Sequence, residues 1–173
     1  MNEIQAVKTA KIEEVKKNSK KGFTLVELVV VIAILAILAA IAIPVVASTI
    51  ASSQRSSALS NAQTLELAIK EAHAQIIAKD TSIYTDGDKT TLNTVVTKKA
   101  IKVEKEVKIS NVDYTLNWSK SDSKCYYIDK DSKSLDGKDL KGKAAGDLTA
   151  IDPNDSTTPT YIVTLVDGTS VSK

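Results

Sequence analysis

From Leu28 to Ala47 the chain runs for twenty residues without a charged side chain, and Glu27 is the only charge between Phe23 and Gln54. At a helical rise of ~1.5 Å per residue such a run spans ~30 Å, the thickness of a bilayer's hydrocarbon core. A helix apolar on every side keeps no face for water, so it belongs in lipid or inside a bundle of helices. The remaining charges crowd elsewhere: 23 Lys and Arg against 21 Asp and Glu in 173 residues leave a net charge of +2. Residues 1–22 hold six Lys and three Glu, so this segment carries +3 and the rest of the chain −1.

Lys16, Lys17, Lys20 and Lys21 stand directly before the apolar run. By the positive-inside tendency they stay in the cytoplasm, and the C-terminal part is exported. A basic stretch followed by an apolar one is a targeting pattern, so residues 1–22 are not read as part of the fold. The run itself admits three readings. It is a secretory signal cut after Val45-Val46-Ala47, an unprocessed membrane anchor, or a segment defined by Glu27 and its neighbours.

Composition removes several other classes. A single cysteine, Cys125, excludes a disulfide scaffold, and six Gly and three Pro exclude collagen-like or Pro-rich chains. The near balance of charge argues against a general affinity for nucleic acid.

The segment around Glu27 reads Lys20-Lys21-Gly22-Phe23-Thr24-Leu25-Val26-Glu27-Leu28. Basic residues precede a Gly, then come an aromatic, Thr-Leu, a variable residue, Glu and a long apolar helix holding Pro44. This pattern resembles the prepilin signature of the type IV pilin and pseudopilin family, over about residues 20 to 50. The resemblance implies that a membrane prepilin peptidase cuts between Gly22 and Phe23 and that the new terminus at Phe23 is N-methylated. It implies that Glu27 takes part in filament assembly, facing the Phe23 amine of a neighbouring subunit. Independently, Pro44 removes the hydrogen bond to the Ala40 carbonyl and is expected to kink or loosen the helix there. The implied partners are further copies or related pilins, the peptidase, an assembly platform with its ATPase, and the membrane. The implied location is the cytoplasmic membrane, N-terminus in and C-terminal domain out, followed by a cell-surface filament. A pilus subunit is the leading expectation. A pseudopilin of a secretion or DNA-uptake machine, or an anchored or secreted binding domain, is the alternative.

The residues suggest no enzyme. Gly137-Lys138-Asp139-Leu140-Lys141-Gly142-Lys143-Ala144 fits G-x-x-x-x-G-K but puts Ala144 where a phosphate loop needs Ser or Thr. Asp129-Lys130-Asp131-Ser132-Lys133-Ser134 begins like a calcium loop. It then sets Lys133 and Ser134 at a ligand and the turn glycine, and Leu140 at the bidentate Glu. It is read as a solvated turn, with a calcium site, as some pseudopilins have, as the alternative; no metal or cofactor is assigned. His73 is taken as a surface or groove histidine, and Cys125 as a buried thiol.

Beyond the apolar run, Ala58, Ala62, Leu65, Ile69, Ala72 and Ile76 recur at steps of three and four, predicting a one-sided helix. Glu66 and Lys70 form an i,i+4 pair on its outside. One helix is therefore expected from Phe23 to Lys79. Residues 90–96 suggest a small helix. Residues 101–109, 114–118, 125–128 and 161–166 suggest strands, with a hairpin loop at 119–124 and a tight turn at Asp167-Gly168 before a short last strand. Residues 130–159 read mostly as loop. The expected organisation is a leader (1–22), a membrane or filament-core helix (23–47), its amphipathic continuation (48–79) and an exported β-rich domain (80–173). The fold class is α+β, a long N-terminal helix on a small antiparallel sheet.

Overall fold

The computed structural model describes residues 22–80 and 82–168; the expected leader up to residue 21 and the short last strand after Gly168 lie outside them. The chain divides between Val46 and Ala47 into two compact units. Helix α1, Leu25–Ile77, begins in the first unit and ends in the second. Every residue from Gly22 to Ile50 is exposed. Among the described residues α1 is the one helix long and apolar enough to cross a membrane.

In the second unit α1 is one-sided, as its spacing predicts. Ala58, Ala62, Leu65, Ala68, Ile69, Ala72 and Ile76 are buried, while Leu67 is 65% exposed. Four of those seven are Ala, whose lack of bulk lets the helix backbone approach its neighbours. Glu66 and Lys70 pair at 2.6 Å, but not on the outside as expected: the Glu66 side chain is only 14% exposed, so the pair flanks the buried face. The helix stops two residues before the expected Lys79. Lys79 takes a left-handed φ of 54°, and the Asp80 N–H donates to the Gln75 carbonyl at 3.0 Å, a Schellman ending built without glycine.

The rest of the unit contributes a turn of 3₁₀ helix at Gly87–Lys89, α2 (Leu92–Lys98), β1 (Glu106–Ile109), β2 (Val112–Ser119), β3 (Lys124–Ile128), β4 (Leu148–Ala150) and α3 (Ile162–Asp167). Thr91 caps α2 by accepting from the Thr94 N–H at 3.2 Å. The sheet is antiparallel: β2 pairs with β3 on one side and with β1 and β4 on the other. The alternation at 114–118 sets Leu116 and Trp118 inward, opposite Tyr127 and Cys125 of β3. Together with Ile109, Leu92, Val95, Ile162 and Leu165 they share one core with the α1 stripe. The class is α+β.

Three features depart from the sequence expectation. Residues 161–166 form no strand: Ile162–Asp167 is α3, with Ile162 and Leu165 buried three positions apart. Gly168, expected in a tight turn, is its left-handed C-cap, φ 77°, donating to the Thr164 carbonyl at 3.0 Å. The strand expected from residue 101 begins only at Glu106, after Lys105. Its hairpin to β2 turns on Ser110 and Asn111, both at positive φ (49° and 66°), as a two-residue type I′ loop requires. The tract 130–159 contains β4, and part of it covers the outer face of the sheet. There Tyr126, Ile128 and Leu140 form a second small cluster with Leu148, which explains why β3 is buried on both faces.

Candidate processing and assembly site

Gly22, Phe23 and Thr24 precede the first helical residue, Leu25. Thr24 is the residue that starts the helix: its Oγ1 accepts from the Glu27 N–H at 3.2 Å, and its carbonyl accepts from the Leu28 N–H at 3.2 Å. Thr24-x-x-Glu27 thus has the spacing of a capping box, with a carboxylate in the first turn where the positive end of the helix dipole favours it. The spacing was visible in the sequence but is easily absorbed into the prepilin pattern. Thr24 therefore holds Glu27 and Phe23 on either side of one helix start. Glu27 is exposed and makes no ion pair among the described residues.

Gly22 and Phe23 are open to approach. A Cβ built at Gly22 meets nothing within 4 Å, so the local fold does not demand glycine there. Phe23 is 81% exposed. From Phe23 to Ile50, seventeen large apolar side chains are 49–81% exposed. A surface of this kind in water is a site for lipid or for another apolar helix. Pro44 lies inside α1. Having no N–H, it leaves the Ala40 carbonyl without its usual helical donor.

The other motifs resolve into structural contacts. In the G-x-x-x-x-G-K stretch, Lys143 Nζ lies 2.7 Å from Asp122 Oδ1 and 3.3 Å from Asp147 Oδ2, so its charge is committed to carboxylates. Buried Asp147 also accepts from the Ser121 N–H at 2.6 Å and from the Ser119 and Ser121 hydroxyls at 3.0 Å each. These bonds, led by the Ser121 N–H, hold its carboxyl down at about 2. The network ties the loop before β4 to the β2–β3 hairpin. In the calcium-like stretch, Asp129 Oδ1 already accepts from the N–H groups of Asp131 (2.9 Å) and Lys133 (2.8 Å). Among the described residues no group of three or more His, Cys, Asp or Glu is placed to hold a metal.

His73 Nε2 sits 2.8 Å from Asp167 Oδ2 and so joins α1 to the end of α3. Cys125 is buried, and that burial pushes its thiol pKa up, away from reactivity. Tyr127 is raised to about 12, mainly by burial, and its hydroxyl donates to the Glu104 carbonyl at 2.5 Å.

Residues 17–43 match the family model for the prokaryotic N-terminal methylation motif. No curated protein and no solved structure gives a significant match to the chain. The matched segment holds the open Gly22-Phe23 bond, the Thr24–Glu27 helix start and most of the exposed apolar run. The chain thus carries the type IV prepilin signature, the N-terminal motif of pilin and pseudopilin precursors.

Proposed function

We propose that this chain is the precursor of a type IV pilus subunit, inserted with its N-terminus in the cytoplasm and its C-terminal domain outside. Prepilin peptidase cuts between Gly22 and Phe23, and the new Phe23 amine is methylated. The mature chain, held in the membrane by residues 23–47, is drawn by an assembly platform and its ATPase into a surface filament. There each Glu27 meets the Phe23 amine of a neighbouring copy. The observation that carries this reading is the juxtaposition of an accessible Gly22-Phe23 bond, a capped helix start holding Glu27, and an exposed membrane-length apolar helix within the matched motif.

The energetics favour such a design. An apolar side chain fully removed from water contributes about 1.5–3 kcal/mol, so even half-burial of the seventeen exposed ones supplies on the order of 15 kcal/mol. Carrying one unpaired carboxylate into an apolar setting costs several kcal/mol. Membrane insertion therefore tolerates Glu27, while a partner cation still gains from meeting it. Between lipid and filament the hydrophobic term largely cancels, which leaves the Glu27–amine pair and side-chain packing to set subunit register. Pro44 gives the helix a point at which it yields during that transfer.

The processing is tested by mass spectrometry of the chain's N-terminus after production beside a prepilin peptidase, and the pilus role, against a pseudopilin, by electron microscopy of surface filaments. A chain beginning at Phe23 and carrying an extra methyl supports the proposal. One beginning at Ser48 refutes it, because the general signal peptidase has then removed the helix.

A further inference from the structure

The edge of the sheet at β1 has a property that the N-terminal motif does not account for. The register pairs Val107 with Tyr114 and Ile109 with Val112, and the Leu116 N–H donates to the Lys105 carbonyl at 2.8 Å. By the alternation of an antiparallel ladder, residues 105, 107 and 109 turn their backbone groups toward β2, and Glu106 and Lys108 turn theirs away. The free edge is short on both sides. Upstream, the Glu104 carbonyl is taken by the Tyr127 hydroxyl and the Val103 carbonyl by Asn154 Nδ2; downstream, the chain turns at Ser110-Asn111. Among the described residues two with outward N–H and C=O groups remain, Glu106 and Lys108; their side chains are exposed and of opposite charge, with Lys108 Nζ also 3.6 Å from Asp113 Oδ1 of β2. Beside them an open groove of about 840 Å³ separates the edge from Ser53, Gln54, Ser57 and Asn61 of α1, a wall with no charge.

We infer that this edge pairs with the same edge of a second copy of the chain, antiparallel, about a two-fold axis through Val107. Matching two outward-facing residues with two outward-facing residues admits one full register: Glu106 opposite Lys108 of the partner copy and Lys108 opposite its Glu106. Each exposed charge then faces its opposite, the arrangement that stabilises a cross-strand pair. Moving the partner by one hydrogen-bonded step sets Glu106 against Glu106 or Lys108 against Lys108 and strands the other pair of backbone groups. Centring the match on Lys105, the midpoint of the palindrome Ile101-Lys102-Val103-Glu104-Lys105-Glu106-Val107-Lys108-Ile109, sets Lys102 against Lys108 and Glu104 against Glu106. Among the described residues β4 also has a bare outer edge, but Leu148-Thr149-Ala150 has no charge to choose a partner. The β1 contact has two-fold symmetry, so it closes on a pair and does not itself propagate a filament. It is separate from the packing of residues 23–47 and does not rest on the filament reading.

The test is cysteine capture in the full-length chain, in membranes of producing cells, with Val107→Cys. Across a two-fold axis through a non-hydrogen-bonded pair the two Cα atoms lie about 4.5 Å apart, within disulfide reach. Mild oxidation should give a dimer on a non-reducing gel, with Val112→Cys, exposed but off the axis, and the natural chain with its buried Cys125 as controls. Lys108→Glu or Glu106→Lys turns both cross-pairs repulsive and should lower the yield roughly tenfold. Combining the two substitutions restores opposite charges and should restore the yield. Every variant is repeated with Glu27→Ala, so that loss of filaments is read separately from loss of the β1 pair. Dimer no greater than that of Val112→Cys, or charge variants without effect and without rescue, overturns the inference.

Discussion

Leu65→Ala tests whether the α1 stripe holds the second unit together. Leu65 is fully buried in the middle of the stripe, in the same core as Trp118, the only tryptophan. Truncating a buried Leu removes its transfer free energy and leaves a cavity, about 2–5 kcal/mol together. With neighbours fixed by a helix on one side and a sheet on the other, little collapse is available, which favours the upper half of that range. At about 4 °C per kcal/mol for a unit of this size, the melting temperature should fall by about 14–20 °C. Trp118 is fully buried, so its fluorescence reports the loss of this core in the full chain in detergent. Leu67→Ala is the matched control: the same chemistry two residues on, at a side chain 65% exposed, should move stability by no more than about 0.5 kcal/mol. Equal shifts for the two variants would refute the assignment of the buried face, and with it the packing of helix on sheet.

Gly22→Leu should leave the melting temperature unchanged, because the position is exposed and a Cβ there meets nothing within 4 Å, and should block cutting; normal processing on a gel would remove Gly22 from the proposed site. Glu27→Ala should abolish filaments seen by electron microscopy while leaving the Phe23 terminus intact. Thr24→Ala, which removes only the cap bond to the Glu27 N–H, should weaken the helix start by about 1 kcal/mol and spare assembly. Asp147 is held down at about 2, below the ordinary carboxylate value of ~3.9. Its contribution is therefore complete above ~3.9 and is lost as pH falls through about 2. Asp147→Asn should lower stability at neutral pH and flatten the acid limb between about pH 4 and 2, followed by Trp118 fluorescence; an unchanged limb would mean the loop network does not restrain the fold.

What the sequence determined by itself is whatever a local period or a local motif encodes. The uncharged run shows the need for an apolar environment because no rotation of a helix can hide it. The steps of three and four from Ala58 to Ile76 mark the buried face of α1, and the alternation at 114–118 marks the inward face of β2. The Gly22–Glu27 spacing marks the candidate site, and its Thr24 cap is legible once the helix start is known. Tertiary structure decided the rest. Ile162-Val163-Thr164-Leu165-Val166 is apolar at nearly every position and so fits either period; contacts at Ile162 and Leu165, with Gly168 as C-cap, select the helix. Tyr126 and Ile128 were legible as strand residues, but not that Leu140 and Leu148 would cover them. Likewise, Glu106 and Lys108 look like ordinary surface charges until the pairing of β1 with β2 turns their backbone groups outward. A sequence pattern shows which faces are apolar or charged, because that follows from the geometry of one element. What lies against each face depends on contacts between residues far apart in the chain, which only folding brings together.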